Sequence, residues 1–178
     1  MKNALILHGT GANSHSNWFD WLASKLSEKG YEVYIPQLPH TDSPDLKLNR
    51  RFIFAGEFEF SPETIIVGHS SGAVLALKLL EMLPVGSRID TVVAVGAYQP
   101  ADFIDKIRTN MVQNKARRLI FVHGDNDPIA PLEGVKDLAR QTAGKLVIVP
   151  GAQHFSAQQS PEHTQLPILV DILGLSKG

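Results

Sequence analysis

The sequence lacks cysteine entirely, and it also lacks any long hydrophobic run. Without cysteine the chain has no disulfide framework, no thiolate metal site and no thiol nucleophile. The first apolar run, residues 4–7, is too short for a signal peptide, and no segment approaches the length of a transmembrane helix. We therefore expect a cytoplasmic protein with no membrane partner.

An excess of charge of either sign is absent as well. The 17 Lys and Arg residues nearly balance the 18 Asp and Glu residues, and no basic block or stripe is present. A nucleic-acid partner is therefore not expected. The chain is 43% hydrophobic and 20% charged, as in ordinary globular proteins, and its length predicts one domain over residues 1–178. Composition leaves the oligomeric state open between a monomer and a weak dimer.

The most informative stretch is residues 64–80. Residues 65–67 form a short β-branched run, typical of a strand buried on both faces. Gly-His-Ser-Ser-Gly follows at residues 68–72, and after it apolar residues recur with helical spacing. A Gly-x-Ser-x-Gly turn between a strand and a helix is typical of a nucleophile elbow, which would expose the Ser70 hydroxyl on a strained bend. The Ser71 N–H would then lie at a helix N-terminus, where an oxyanion is stabilised.

Strands and helices alternate along the rest of the chain. The predicted strands are residues 4–7, 33–35, 65–67, 89–95, 118–122 and 146–149. The predicted helices are one capped by Asn17 and ended at Gly30, then residues 45–61, 73–83, 100–110, 132–142 and 166–173. This alternation predicts an α/β fold, a three-layer α/β/α sandwich around a mainly parallel sheet of about six strands.

Four polar residues fall just after predicted strands, namely Thr10, Ser70, Asp127 and His154. Sites on parallel sheets lie beyond the carboxyl ends of the strands, so these side chains are expected at one edge. A serine nucleophile needs a base, and the base needs a partner that orients it. His154 leaves the last strand in a Gly-Ala-Gln-His-Phe turn and can approach Ser70 from a separate loop, so it is the predicted base.

The other histidines are expected to serve structure or to be solvated. His8 and His123 each precede a glycine at a strand end, where a histidine commonly bonds to the backbone. His69 should point away from the hydroxyl of its neighbour Ser70. Polar loops hold the remaining three, His15, His40 and His163.

The residues alone do not decide which carboxylate would orient His154. Asp125 and Asp127 share the loop after the fifth predicted strand, and physical argument does not separate them. Asp102 and Asp105 follow the fourth strand and resemble carboxylates at the start of a helix.

Together these motifs resemble the α/β-hydrolase superfamily and, within it, the small lidless serine hydrolases of the YdeN-like and retinoblastoma-binding serine hydrolase-like type. The resemblance covers nearly the whole chain, and the order serine, acid, histidine is the one that α/β-hydrolases use. It is carried by the stretches His8-Gly9-Thr10-Gly11, Trp18-Phe19-Asp20-Trp21-Leu22, Gly68-His69-Ser70-Ser71-Gly72, Asp127-Pro128-Ile129-Ala130-Pro131, Gly151-Ala152-Gln153-His154-Phe155 and Leu166-Pro167-Ile168-Leu169.

The resemblance also implies roles. It implies Asp127 as the acid, because the family's acid precedes a short stretch that ends in proline, and it implies the Thr10 N–H as a second oxyanion donor beside Ser71. The expected activity is hydrolysis of a small ester, with Ser70 as nucleophile, His154 as base and no cofactor. The mammalian member's cysteine-containing motif for binding pocket proteins is absent, so that partner is not carried over.

Residues 96–116 are too few for a cap domain, so the site is expected to be open and shallow, roofed by the first loop and residues 37–61. Four phenylalanines in that second region either line an acyl pocket or, as is commoner, pack against the core; they are Phe52, Phe54, Phe58 and Phe60.

The sequence is compatible with three other functions. A binding module on an idle hydrolase fold is the main one, because a fold does not determine a function. A metal hydrolase would leave the Gly-x-Ser-x-Gly elbow unexplained; its ligands would be His8, His123, Asp125 and Asp127. Nucleotide binding at residues 9–11 would need a third glycine where the chain has Ser14.

Overall fold

The structure is a computed structural model that describes residues 2–101, 105–157 and 163–176. Its strands are β1 (Asn3–Leu7), β2 (Glu32–Tyr34), β3 (Ile65–His69), β4 (Ile89–Val95), β5 (Ala116–Gly124) and β6 (Lys145–Val149). Its helices are α1 (Phe19–Ser27), α2 (Leu46–Ala55), α3 (Ser71–Leu80), α4 (Thr109–Val112), α5 (Leu132–Thr142) and α6 (Ile168–Leu173). Within the described ranges, no helix has both the length and the apolar character needed to cross a membrane.

The six strands form one sheet in the order β2-β1-β3-β4-β5-β6, and all five pairings are parallel. Strand β3 lies between β1 and β4, with Gly68 opposite both Leu7 and Ala94. The loops that leave β1, β3, β4, β5 and β6 therefore open at one edge of the sheet. The predicted α/β sandwich is confirmed, and the described residues include no additional cap.

Two apolar cores cover the two faces of this sheet. Helices α2, α3, α4 and α5 pack on one face, and α1 and α6 pack on the other. Every residue of α3 is buried, which explains why its sequence is apolar almost all round. This helix carries Ser71 at its first position, so the elbow joins a strand and a helix that are both buried along their whole length.

The helix boundaries correct several predictions. Asn17 does not cap α1; it has a positive φ of 55°, and its side chain bonds elsewhere. Helix α2 is capped by the Asp45 carboxylate and ends at Ala55, just before Gly56, so the predicted helix over 45–61 is too long. The predicted helix over 100–110 is reduced to α4, and residues 102–104 of that prediction lie outside the described ranges.

Candidate active site

Ser70 sits on a strained bend between β3 and α3. Its φ and ψ are 55° and −122°, a combination that non-glycine residues rarely adopt. The flanking glycines make the bend possible. A Cβ on Gly68 would lie 2.3 Å from the Gly72 carbonyl oxygen, and one on Gly72 would lie 2.3 Å from the Leu7 carbonyl oxygen. The backbones cross too closely there for any side chain, which is why both positions of the motif are glycine.

The structure brings Ser70 and His154 into hydrogen-bond contact. The Ser70 hydroxyl lies 2.8 Å from His154 Nε2. His154 reaches it from the turn after β6, eighty-four positions along the chain. Because His154 Nδ1 donates to a carboxylate, Nε2 is left as the acceptor for the serine proton.

Asp127 is the carboxylate that meets His154, at 2.7 Å from Oδ2 to Nδ1. Its other oxygen accepts from the backbone N–H groups of Ile129 at 2.8 Å and Ala130 at 2.9 Å. The carboxylate is fully buried. Burial raises the pKa of Asp127, but the hydrogen bonds from His154, Ala130 and Ile129 outweigh burial and hold the pKa below its ordinary value. The carboxylate is therefore charged at neutral pH, as required to orient an imidazole and stabilise its cation.

Asp125 has a different contact. Its Oδ1 accepts from the Gly151 N–H at 2.6 Å and so ties the loop after β5 to the turn after β6. Of the other two candidate acids, Asp102 lies outside the described residues, and His154 Nδ1 contacts Asp127 rather than Asp105.

The two predicted oxyanion donors are neighbours. The Thr10 hydroxyl donates to the Ser71 hydroxyl at 3.1 Å. Ser71 is the first residue of α3, and the first N–H groups of a helix have no partner within it. A Cβ on Gly9 would lie 2.8 Å from Ser70 Cβ, so the turn after β1 packs directly against the elbow.

The remaining histidines are mostly as predicted. His8 is buried and bonds to the backbone of Gly9 and Leu38. His123 is also buried and bonds to the backbone of Ala130. His15 and His40 are exposed. His163 departs from its prediction, because it is half-buried and its Nδ1 lies 3.3 Å from the Ser156 carbonyl oxygen. Among the described residues no group of three or more His, Asp or Glu side chains is placed to bind a metal ion.

A cleft of about 720 Å³ opens over Ser70 and His154. The end of β3 and the loops after β1, β4, β5 and β6 line the rest of it, through Thr10, Ala12, Ser16, Asn17, His69, Tyr98, Ile129, Ser156 and Ala157. The first loop contributes to this wall as predicted, but residues 37–61 do not.

The four phenylalanines are also absent from the cleft wall, so the acyl-pocket interpretation is wrong. Phe58 and Phe60 pack against the core, while Phe52 and Phe54 are partly exposed. Phe58 stacks on Tyr34 at the end of β2, with 6.2 Å between the ring centroids, so these phenylalanines lie near β2.

Three residues at the site were not predicted from the sequence. Gly96 has a φ of 61°, and a Cβ there would lie 3.0 Å from His154 Cε1. A Cβ on Gly124 would lie 2.1 Å from the Ala152 carbonyl oxygen. Both glycines lie at strand ends, and this position is the sequence feature that could have indicated their place in the site. Asn17 carried a misleading signal, since its local sequence suits a helix cap.

We expect Gly96→Ala to lower kcat for the predicted ester hydrolysis by about 10-fold, because a misplacement of about 1 Å costs about 100-fold and the predicted base, His154, needs to shift by only a fraction of that distance. The new methyl group would push against the imidazole of His154. Gly86→Ala is the matched control, since Gly86 also has a positive φ, of 83°, but no atom lies within 4 Å of its added Cβ. Equal kcat values for the two folded variants would contradict this expectation.

The chain matches the family model described as serine hydrolase over residues 4–174. The putative hydrolase YdeN of Bacillus subtilis (strain 168) is 26% identical over 182 residues, which cover 97% of this chain and 94% of YdeN. The crystal structure of the B. subtilis ydeN gene product aligns with a TM-score of 0.88 at 24% identity, covering 98% of this chain and 97% of that one.

More distant structures share the fold. A protein from Thermoplasma acidophilum described as a predicted CIB-like hydrolase aligns with a TM-score of 0.71 at 24% identity, over 97% of this chain and 86% of its own. Est1E from Butyrivibrio proteoclasticus, solved with ferulic acid bound, aligns with a TM-score of 0.67 at 16% identity, over 97% of this chain and 90% of its own. At these identities the likeness concerns the fold.

Proposed function

Since the chain belongs to the serine hydrolase family, we propose that it hydrolyses small, uncharged carboxylic esters through Ser70, His154 and Asp127. The observation that carries the proposal is the continuous chain of hydrogen bonds from the Ser70 hydroxyl through His154 to the buried Asp127 carboxylate. It lies at the floor of a cleft, at the edge of the sheet where α/β folds place their sites.

The first half-reaction forms an acyl-enzyme. Ser70 Oγ attacks the ester carbonyl carbon while its proton passes to His154 Nε2, and Asp127 stabilises the imidazolium that results. The tetrahedral intermediate then collapses: the bond to the alcohol oxygen breaks, and His154 returns its proton to that oxygen. In the second half-reaction a water molecule repeats the sequence on the acyl-enzyme, releasing the acid and restoring the Ser70 hydroxyl.

The oxyanion of both intermediates would be held by the backbone N–H groups of Thr10 and Ser71. The hydroxyl contact between these residues and the packing of Gly9 against Ser70 support this assignment. A single donor of this kind contributes about 3 kcal/mol to transition-state stabilisation. Gly9 packs closely against Ser70, so any side chain at position 9 would move the turn, and with it the Thr10 N–H, away from the elbow. A substitution there would therefore weaken oxyanion stabilisation.

The cleft supports a small uncharged substrate. Of the described residues that line it, none is Asp, Glu, Lys or Arg, so a charged acyl group would enter without a counter-charge. Ile129, which is 58% exposed, and Tyr98 offer apolar contact, while Ser16 and Ser156 offer hydroxyl groups. A volume of about 720 Å³ suits a small-molecule ligand.

The experiment is a panel of nitrophenyl esters of increasing acyl length with the purified protein, using Ser70→Ala as the blank. A matched pair of equal length, one acyl chain ending in a methyl group and the other in a carboxylate, tests the charge preference. We expect turnover by the wild type only, with the higher kcat/KM for the methyl-ended ester. Turnover of every ester no faster than by Ser70→Ala would contradict the proposed function.

A further inference from the structure

The side chain of His69 contacts the backbone of the proposed base. His69 precedes Ser70 in the elbow, is buried, and has its ring centroid 5.1 Å from that of His154. Its Nε2 donates to the main-chain carbonyl of His154 at 2.7 Å. Because a carbonyl only accepts, Nε2 carries the proton and Nδ1 is an acceptor.

Asn17 completes this arrangement from the first loop. Its Oδ1 accepts from the Ala157 N–H at 2.8 Å, which turns its amide nitrogen toward His69 Nδ1 at 3.4 Å. Both bonds agree with the same His69 tautomer. Asn17 holds a positive φ of 55°, a conformation that asparagine tolerates better than most residues. This explains why Asn17 does not act as the cap of α1.

The next residue in the same loop adds a third contact. The indole Nε1 of Trp18 donates to the Phe155 carbonyl at 3.2 Å. Three side chains thus bond to the main chain of residues 154, 155 and 157. Phe155 itself has a positive φ of 58°, which is unfavourable for an aromatic residue and persists only where surrounding contacts hold it.

We propose that His69 and Asn17 are positioning residues for the base: they fix the main chain of the His154 turn so that the imidazole spans Ser70 and Asp127. This inference rests on the proposed function for its effect on rate. Neither residue needs to exchange a proton with the substrate. They act because His154 must satisfy two short hydrogen bonds at once, of 2.7 and 2.8 Å, and a freely moving turn would not keep both.

The charge state of His69 agrees with this role. Burial, as the largest cause, lowers the pKa of His69 to about 4, so the ring is neutral when His154 becomes a cation during catalysis. A neutral ring that donates one hydrogen bond can hold the turn without repelling the imidazolium beside it.

The test compares His69→Leu, which removes the donor, with His69→Gln, whose amide N–H can replace it. Asn17→Gly removes the other side chain and tolerates the positive φ. We expect His69→Leu and Asn17→Gly to lower kcat by about 10- to 100-fold with KM changed by less than about threefold, and His69→Gln to recover most of the loss. Unfolding free energies measured in parallel give the fraction of each variant that is folded.

A second readout does not depend on turnover. Long-range 1H–15N NMR spectra distinguish the tautomers of the His154 ring; we expect a single Nδ1–H form in the wild type and a mixture in His69→Leu and Asn17→Gly. Folded variants with wild-type kcat and an unchanged His154 spectrum would overturn the inference, even if their stability falls. If the wild type shows no Ser70-dependent hydrolysis, the proposed function fails, whereas the spectra still decide whether these residues position His154.

Discussion

Replacing His154 with alanine is expected to lower kcat for ester hydrolysis by roughly 10⁶-fold, as loss of the general base does in serine hydrolases. The reason lies in the geometry at Ser70. A serine hydroxyl is a weak nucleophile at neutral pH, and His154 Nε2, at 2.8 Å, is positioned to take its proton. Steady-state kinetics with the best ester from the panel measure the effect.

His15→Ala is the matched control for this variant. His15 lies in an exposed loop and pairs with Asp20 at the surface, so its removal is expected to leave kcat unchanged. A folded His154→Ala protein that retained more than about one-hundredth of wild-type kcat would show that another group takes the serine proton, since loss of a true base has a far larger effect.

Replacing Asp127 with asparagine is expected to lower kcat by about 10⁴-fold, the size seen when the orienting acid of such a site is made an amide. An amide donates where the carboxylate accepts, so His154 Nδ1 would lose its proton acceptor and the ring would adopt the wrong tautomer. The backbone bonds from Ile129 and Ala130 to the other oxygen can persist, so the fold is expected to survive.

Asp125→Asn is the matched control, because it makes the same chemical change two residues away. Asp125 bonds to the Gly151 N–H, and an asparagine oxygen can keep that bond. We therefore expect kcat within about threefold of wild type, the effect of a small shift in a supporting loop. If Asp125→Asn were the inactive variant and Asp127→Asn the active one, the assignment of the acid would be wrong although the class of enzyme would stand.

The fold and the elbow could be predicted because the signals are local. A β-branched run, two glycines around a serine and a helical apolar pattern must occur in sequence for strand, bend and helix to form. The alternation of elements then implied the parallel sheet. The end of α2 was harder to predict, because Phe58 roughly continues the helical face of Phe52 and Ile53. The helix instead ends before Gly56, and the Phe58 ring packs on the core beyond it.

Local sequence could not decide whether Asp125 or Asp127 orients His154, because tertiary structure determines that contact; the family resemblance was needed to choose Asp127. Asp127 and Asp125 share one loop, and only the arrival of the turn after β6 assigns one carboxylate to His154 and the other to Gly151. Asn17 was misassigned for a related reason. Its local preference for a cap was overridden by its contacts with Ala157 and His69, which lie far away in the sequence.

The most direct test of the central claim is intact-protein mass spectrometry after treatment with a fluorophosphonate, followed by peptide mapping. Such a reagent phosphonylates a serine that an adjacent base has made nucleophilic. We predict one adduct per chain, located on Ser70, and none on folded Ser70→Ala. An unlabelled wild-type protein, or equal labelling of the Ser70→Ala variant, would contradict the account.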